Sequence, residues 1–216
     1  MVGRSAYHHG NLRAALLDAA DEVLQVEGFQ GFTMRACARS AGVSHAAPKH
    51  HFGDVRGLLT AVAERGFERL VAGLKRQLAQ VQGNLDDEMF ATARAYVDFA
   101  EAYPEHFRIM FRADVVNYDP EAPPASVTAT FTELTNVILR QRGEPELTAE
   151  QTVQPKSPAL INDILIGWSH VHGYAHLRLE GQLMMVPEES HLEHLRESSR
   201  RLARLIQATG SGFEAD

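Results

Sequence analysis

The chain has 216 residues, 44% of them hydrophobic, 23% charged and 7% aromatic. That balance excludes disordered, collagenous and low-complexity classes. The net charge of −7 is spread unevenly: residues 1–57 hold six Lys/Arg against five Asp/Glu, with five of the eleven histidines, whereas residues 58–216 hold fifteen against twenty-three. Such asymmetry fits a polyanion partner or chance variation in surface charge, and the motifs must decide.

No apolar run approaches the roughly 20 residues that span a bilayer. The first residues lack the apolar core of a secretory signal. A single cysteine, Cys37, cannot form an internal disulfide, which fits a reducing compartment. A cytoplasmic protein with no membrane partner is expected.

In chain order, the pattern is helical throughout. Leu12, Leu16, Ala19/Ala20 and Val23 form one stripe of a helix over 12–27, with Asn11 as N-cap and Gly28-Phe29 as its stop. A short helix over 34–41 follows Thr33. Gly42-Val43-Ser44 then turns into a third short helix, capped by Ser44 and running to about residue 51. Pro48 falls about four positions into it. Asp54 caps a long fourth helix to about residue 81. Further helices are expected over 86–102, through Phe111 after the break at Tyr103-Pro104, and over 126–141, 159–180 and 188–209. The proline-rich stretches 119–124 and 145–158 read as loops, and 210–216 as a frayed tail. The architecture is all-α, about nine helices, with a small head over 1–57 and a larger body over 58–216.

Two short helices joined by a Gly-containing turn, Thr33 to Phe52, form a helix-turn-helix pattern. Gly42 supplies the left-handed conformation that ends the first helix, and Val43 plugs the angle between the two. An exposed second helix can enter the DNA major groove with its N-terminal residues at base edges. Packed hairpins with Gly turns occur in enzymes too, so spacing alone leaves DNA binding open.

The residues of this stretch carry a closer likeness. An opening helix ending in Gly28-Phe29, then Thr33-Met34-Arg35, Ala41-Gly42-Val43-Ser44, His51-Phe52 and Leu58-Leu59, resembles the DNA-binding domain of the tetracycline-repressor (TetR) family. Tyr7-His8-His9-Gly10-Asn11-Leu12-Arg13, Tyr96–Phe111 and Trp168-Ser169-His170-Val171-His172-Gly173 resemble one branch of it. The resemblance implies a bacterial, ligand-responsive transcriptional regulator, a repressor rather than an enzyme, with no cofactor or metal. It would bind a palindromic operator as a homodimer and be released by a small-molecule effector. Two positions depart from the family pattern: Lys49 stands where a Tyr is usual, and Val55 where a Lys opens the fourth helix. Both usual residues touch phosphates; Lys49 still can, and Arg56 is the only neighbour able to replace the second contact.

On this reading Thr33 and Ser44, heading the two helices, suit phosphate oxygens. Arg35, Lys49 and His50 are backbone-contact candidates. His45 and Ala46 are the base-edge candidates, while Phe52 locks the head against the fourth helix. The family's body holds a ligand between helices and dimerises through its last two. Trp168 and His172, four apart, are an apolar wall and polar anchor of a cavity, or else simply core; Phe107, Met110 and Phe111 are possible further walls. Leu192, Leu195, Ser199, Leu202 and Ile206 make a narrow seam that meets a partner helix or packs within the chain. A reading from another class is a helical enzyme or metal-binding protein using His172 and His176. His170 and His172 lie about 200° apart around a helix, which leaves at most two of these three histidines on one face.

Overall fold

The computed structural model describes residues 12–148 and 157–210; Asn11 as a cap, the Tyr7-His8-His9 segment and residues 211–216 lie outside them. The described residues form nine α-helices and one 3-10 turn, without a strand. None of these helices is long and apolar enough to cross a membrane. By packing, the chain divides into two units, residues 1–65 with 105–120 and residues 66–104 with 121–216. The division within α4 (Val55–Leu78) therefore comes at Arg65, several residues past the 57/58 boundary expected from composition. A helix that continues through a change of packing partners leaves no mark in composition.

Unit 1 is built from α1 (Leu12–Gly31), α2 (Met34–Ser40), α3 (Ala47–Phe52), the start of α4 and most of α6 (Pro104–Met110). The α1 stripe buries Leu16, Leu17, Ala19, Ala20, Val23 and Leu24, and the helix is interrupted at Gly28, whose φ is 66°. Thr33 caps α2, its hydroxyl accepting from Ala36 N at 3.0 Å. At the other end, Gly42 N donates to Arg39 O and Val43 N to Ala38 O. This paired closure needs the left-handed backbone that Gly42 adopts at φ 68°.

The start of α3 differs from expectation. It begins at Ala47, and its N-cap is Ala46, without a side-chain hydrogen bond. Ser44 contributes its backbone carbonyl to Ala47 N in the preceding turn; its hydroxyl is not the cap. Pro48 therefore sits in the first turn, where its missing N–H costs nothing. Asp54 does head α4, accepting from Gly57 N at 2.8 Å.

The returning segment 105–120 is tied into unit 1 by polar contacts. His106 Nε2 lies 2.9 Å from Asp21 Oδ1, Phe29 N donates to Glu105, and Asn117 N donates to Thr60 Oγ1. Arg65 joins the same corner through Asp18 and Asp21.

Unit 2 packs α5 (Leu85–Ala102), α7 (Ala125–Arg142), α8 (Pro158–Leu179) and α9 (His191–Gly210) against one another. Met89, Val137, Ile138, Leu202, Ala203 and Ile206 form one core cluster. The Arg142–Asp163 ion pair is buried beside it, with Thr209 Oγ1 donating to the same carboxylate at 3.0 Å. The seam proposed for a partner helix is here: Leu195, Ser199, Leu202 and Ile206 are buried inside the chain, and only Leu192, 43% exposed, faces out. The spacing marked a buried face correctly, but α5 and α7 of the same chain cover it. These four residues are thus unavailable to a second protomer.

Candidate nucleic-acid interface and internal cavity

Unit 1 presents a polar surface made by α3 and the turn before it. Arg35, Ser44, His45, Ala46, Lys49 and His50 are all exposed. Ala46, Lys49 and His50 share a face by their spacing of three and four, and His45 lies just before the N-cap Ala46. Among the described residues, Arg35, His45 and Lys49 make no hydrogen bond or ion pair, so their donors are open to an outside acceptor. Thr33 is exposed; its hydroxyl oxygen accepts from Ala36 N in capping α2, which leaves its O–H free to donate outward beside the helix-entry amides.

Behind this face, Ala36, Cys37 and Ala38 are buried, and burial pushes the Cys37 thiol up to about 11, so it is inert. Phe52 is half-buried, with the Arg13 guanidinium 5.2 Å from its ring centroid. Val55 is exposed without a charge. Arg56 does not replace it: its guanidinium donates to the carbonyls of Val116 at 3.2 Å and Ala113 at 3.5 Å.

Unit 2 contains a cavity of about 40 Å³ between α5, α7 and α8. Trp168 is one wall, standing edge-on to Phe131 at 5.6 Å between centroids. Met89, Leu134, Ile138 and Ile164 supply most of the rest. His172 is not in the lining. It belongs to a polar chain behind the wall, in which Trp168 Nε1 donates to the hydroxyl of fully buried Tyr96 at 3.4 Å and that hydroxyl meets His172 Nδ1 at 2.9 Å. An indole can only donate, so the Tyr96 oxygen accepts from Trp168, and the Tyr96 hydroxyl and His172 Nδ1 share the second hydrogen bond. Burial and the neighbouring His176 push the His172 pKa down to about 4, consistent with a neutral ring. Burial likewise raises the Tyr96 hydroxyl.

The chain does not bring together all five expected ligand residues. Phe107 and Met110 are buried in unit 1, with Phe111 edge-on to Phe107, and none of the three lines this cavity. The lining residues that sequence reasoning missed lie on α5, α7 and α8. One signal was available: Thr92 and Thr135 sit on apolar helical faces, and both are buried. His172 and His176 are edge-on at 4.7 Å, but no group of three metal-ligating side chains occurs among the described residues.

A family model described as the tetracyclin repressor-like C-terminal domain matches residues 89–208, and one described as bacterial regulatory proteins, tetR family, matches residues 16–62. The HTH-type transcriptional activator FasR of Mycolicibacterium smegmatis is 31% identical over 118 residues, 55% of this chain and 53% of that protein. The HTH-type regulator BetI of Rhizobium meliloti is 33% identical over 113 residues, 52% and 47% of the respective chains. The chain spans about half the length of these curated relatives. Among solved structures, a protein of unknown function from Rhodococcus sp. RHA1 superposes with a TM-score of 0.69 at 30% identity, covering 92% of this chain and 98% of that one. A TetR variant from Acinetobacter baumannii in complex with minocycline superposes at 0.60 with 16% identity over 91% and 96%, a likeness of fold alone.

Proposed function

The chain belongs to the tetracycline-repressor family, whose members are transcriptional regulators and not enzymes, and from that premise we propose that it is a cytoplasmic repressor. It binds a palindromic operator as a homodimer and is released by a small molecule in the unit 2 cavity. The observation that carries the DNA-binding half is the exposed surface of α3 and the turn before it, where His45 and Ala46 lead into a short helix that carries Lys49 and His50. That a protein of this fold is found in complex with minocycline fits a small-molecule effector. The effector favours a head arrangement unfit for the operator, which requires unequal affinity for the two states.

The dimer face differs from the buried seam. Ile161, Leu165 and Ile166 on α8 are 37%, 49% and 43% exposed, and Leu205 on α9 is 54% exposed. These are the apolar groups left for a second copy to cover.

A titration of operator and random DNA with variants tests the DNA assignment. Lys49→Ala weakens all sequences alike and shallows the log-affinity against log-salt slope by about 0.9 per protomer. His45→Ala relaxes preference at one operator position, by roughly 1–3 kcal/mol if its contact is bidentate and less if single. Unchanged binding in both variants would take α3 out of the groove. A reporter placed behind the operator, rising on deletion of the protein, checks repression; a fall would make it an activator.

A further inference from the structure

The walls of the unit 2 cavity define what can enter it. None of its lining side chains is ionisable, and only Thr92, Thr135 and Trp168 carry a polar side-chain atom. Two of those are spent: Thr92 Oγ1 donates to Glu88 O at 2.8 Å, and Trp168 Nε1 donates to Tyr96. Thr135 is 3% exposed and lines the cavity, and its hydroxyl makes no hydrogen bond among the described residues. A ligand that fills the cavity shuts water off from that hydroxyl unless it offers a hydrogen-bonding group.

A charge placed in this cavity would have no counter-ion. Behind the wall, the imidazole of His172 has its Nδ1 occupied by Tyr96. An unpaired buried ion costs far more than any hydrocarbon contact returns.

Space sets a second condition. A volume of about 40 Å³ holds about three water-sized spheres of ~10–15 Å³. At the same place α7 and α8 already touch: a Cβ on Gly167 would stand 2.9 Å from Ile138 Cδ1. A ligand of six or more heavy atoms must therefore displace Ile138 or part the two helices, which ties occupancy to a change in unit 2.

We infer that the effector is an uncharged, largely hydrocarbon molecule with one hydrogen-bonding group, and that Thr135 is the residue that reads that group. The inference rests on the reading that this cavity is the effector site. Thr135 is then a specificity residue, and hydrocarbon burial against Trp168, Phe131 and Ile164 supplies most of the affinity.

The chain has one tryptophan, Trp168, so its fluorescence reports the cavity directly. Full-length protein is titrated with toluene, benzyl alcohol and benzoate at pH 8, with excitation to the red of the probes' own absorption. Toluene and benzyl alcohol change the emission saturably, and benzoate binds about a hundredfold more weakly or worse. Thr135→Val lowers affinity for benzyl alcohol by roughly tenfold while leaving toluene within about twofold. Thr135→Ser, which keeps the hydroxyl, retains benzyl alcohol binding and controls for folding. Benzoate binding as tightly as benzyl alcohol, or equal loss of toluene and benzyl alcohol in Thr135→Val, overturns the ligand class while leaving the site. Silence of all three probes at Trp168 overturns the assignment of the cavity itself, and the inference with it.

Discussion

The turn and helix at residues 44–52 and the α8–α5 contact around Tyr96 place polar groups in opposite ways. In the first, His45 faces solvent from the turn and Lys49 and His50 from a helix of six residues, and hardly any of their donors is used within the chain. In the second, Tyr96, Trp168 and His172 are drawn inward and linked hydrogen bond by hydrogen bond. The difference matches two kinds of partner. A polyanion is met by donors that keep their hydration until contact. An apolar effector needs a dry wall, and a dry wall tolerates polar atoms only when they satisfy one another. Thr135 differs from these groups in that its side chain lines the cavity itself.

The sharpest way to break this contrast is to put a charge on each face of unit 2. Leu202→Glu buries an unpaired carboxylate in the core cluster with Met89 and Ile206, and about 3–5 kcal/mol or more of stability is lost. Leu165→Glu, at a half-exposed position, leaves the thermal midpoint nearly unchanged, within about 0.5 kcal/mol, but weakens self-association. Circular dichroism melts paired with light scattering read both. A folded Leu202→Glu monomer would restore the seam to a partner helix.

A smaller effect comes from the inward chain. His172 is neutral in the folded state, with its pKa pushed down to about 4 by burial and by His176, against an ordinary value of 6.5. Below pH 6.5 the unfolded chain takes up a proton that the folded chain refuses until about pH 4. Stability therefore falls as pH drops through that window and is fully present above it. His170, lowered by burial as well, adds to the same slope. Urea midpoints from pH 7 to pH 4 measure the decline, and His172→Gln reduces it. A midpoint independent of pH in this range would mean that the ring is solvated and the dry wall is absent.

The smallest effect separates two hydroxyls in unit 1. Thr33→Ala removes the α2 cap and costs about 1 kcal/mol, whereas Ser44→Ala, whose side chain caps nothing, stays within about 0.5 kcal/mol. Equal losses in chemical denaturation would return Ser44 to the cap.

Most helices were legible because their signals are local. The stripe of α1, the Thr33 and Asp54 caps and the Gly42 turn each depend on residues within one or two turns, and each is found where its side chains put it. The start of α3 was misplaced because Ser44 and Ala46 both precede a short polar run, and only the backbone path decides which one ends the turn. The exposed α3 face was readable for the same reason as the turn: it is one contiguous stretch.

The cavity was not readable in that way. Phe131 and Thr135 acquire their meaning from Trp168, which lies more than thirty positions away in sequence, and no periodicity links them. Phe107, Met110 and Phe111 have the same apolar character as true cavity walls, yet α6 packs into unit 1 beside Asp21. Where helices form, where they stop, and that α9 buries one narrow face were all local matters, because 3.6-residue periodicity and capping are properties of a single segment. Only the tertiary structure decided what covers that face, which helix carries the cavity walls, and that Arg56 turns to the carbonyls of Ala113 and Val116. Hydrophobic burial is non-directional, so a stripe states that it will be covered without stating by what.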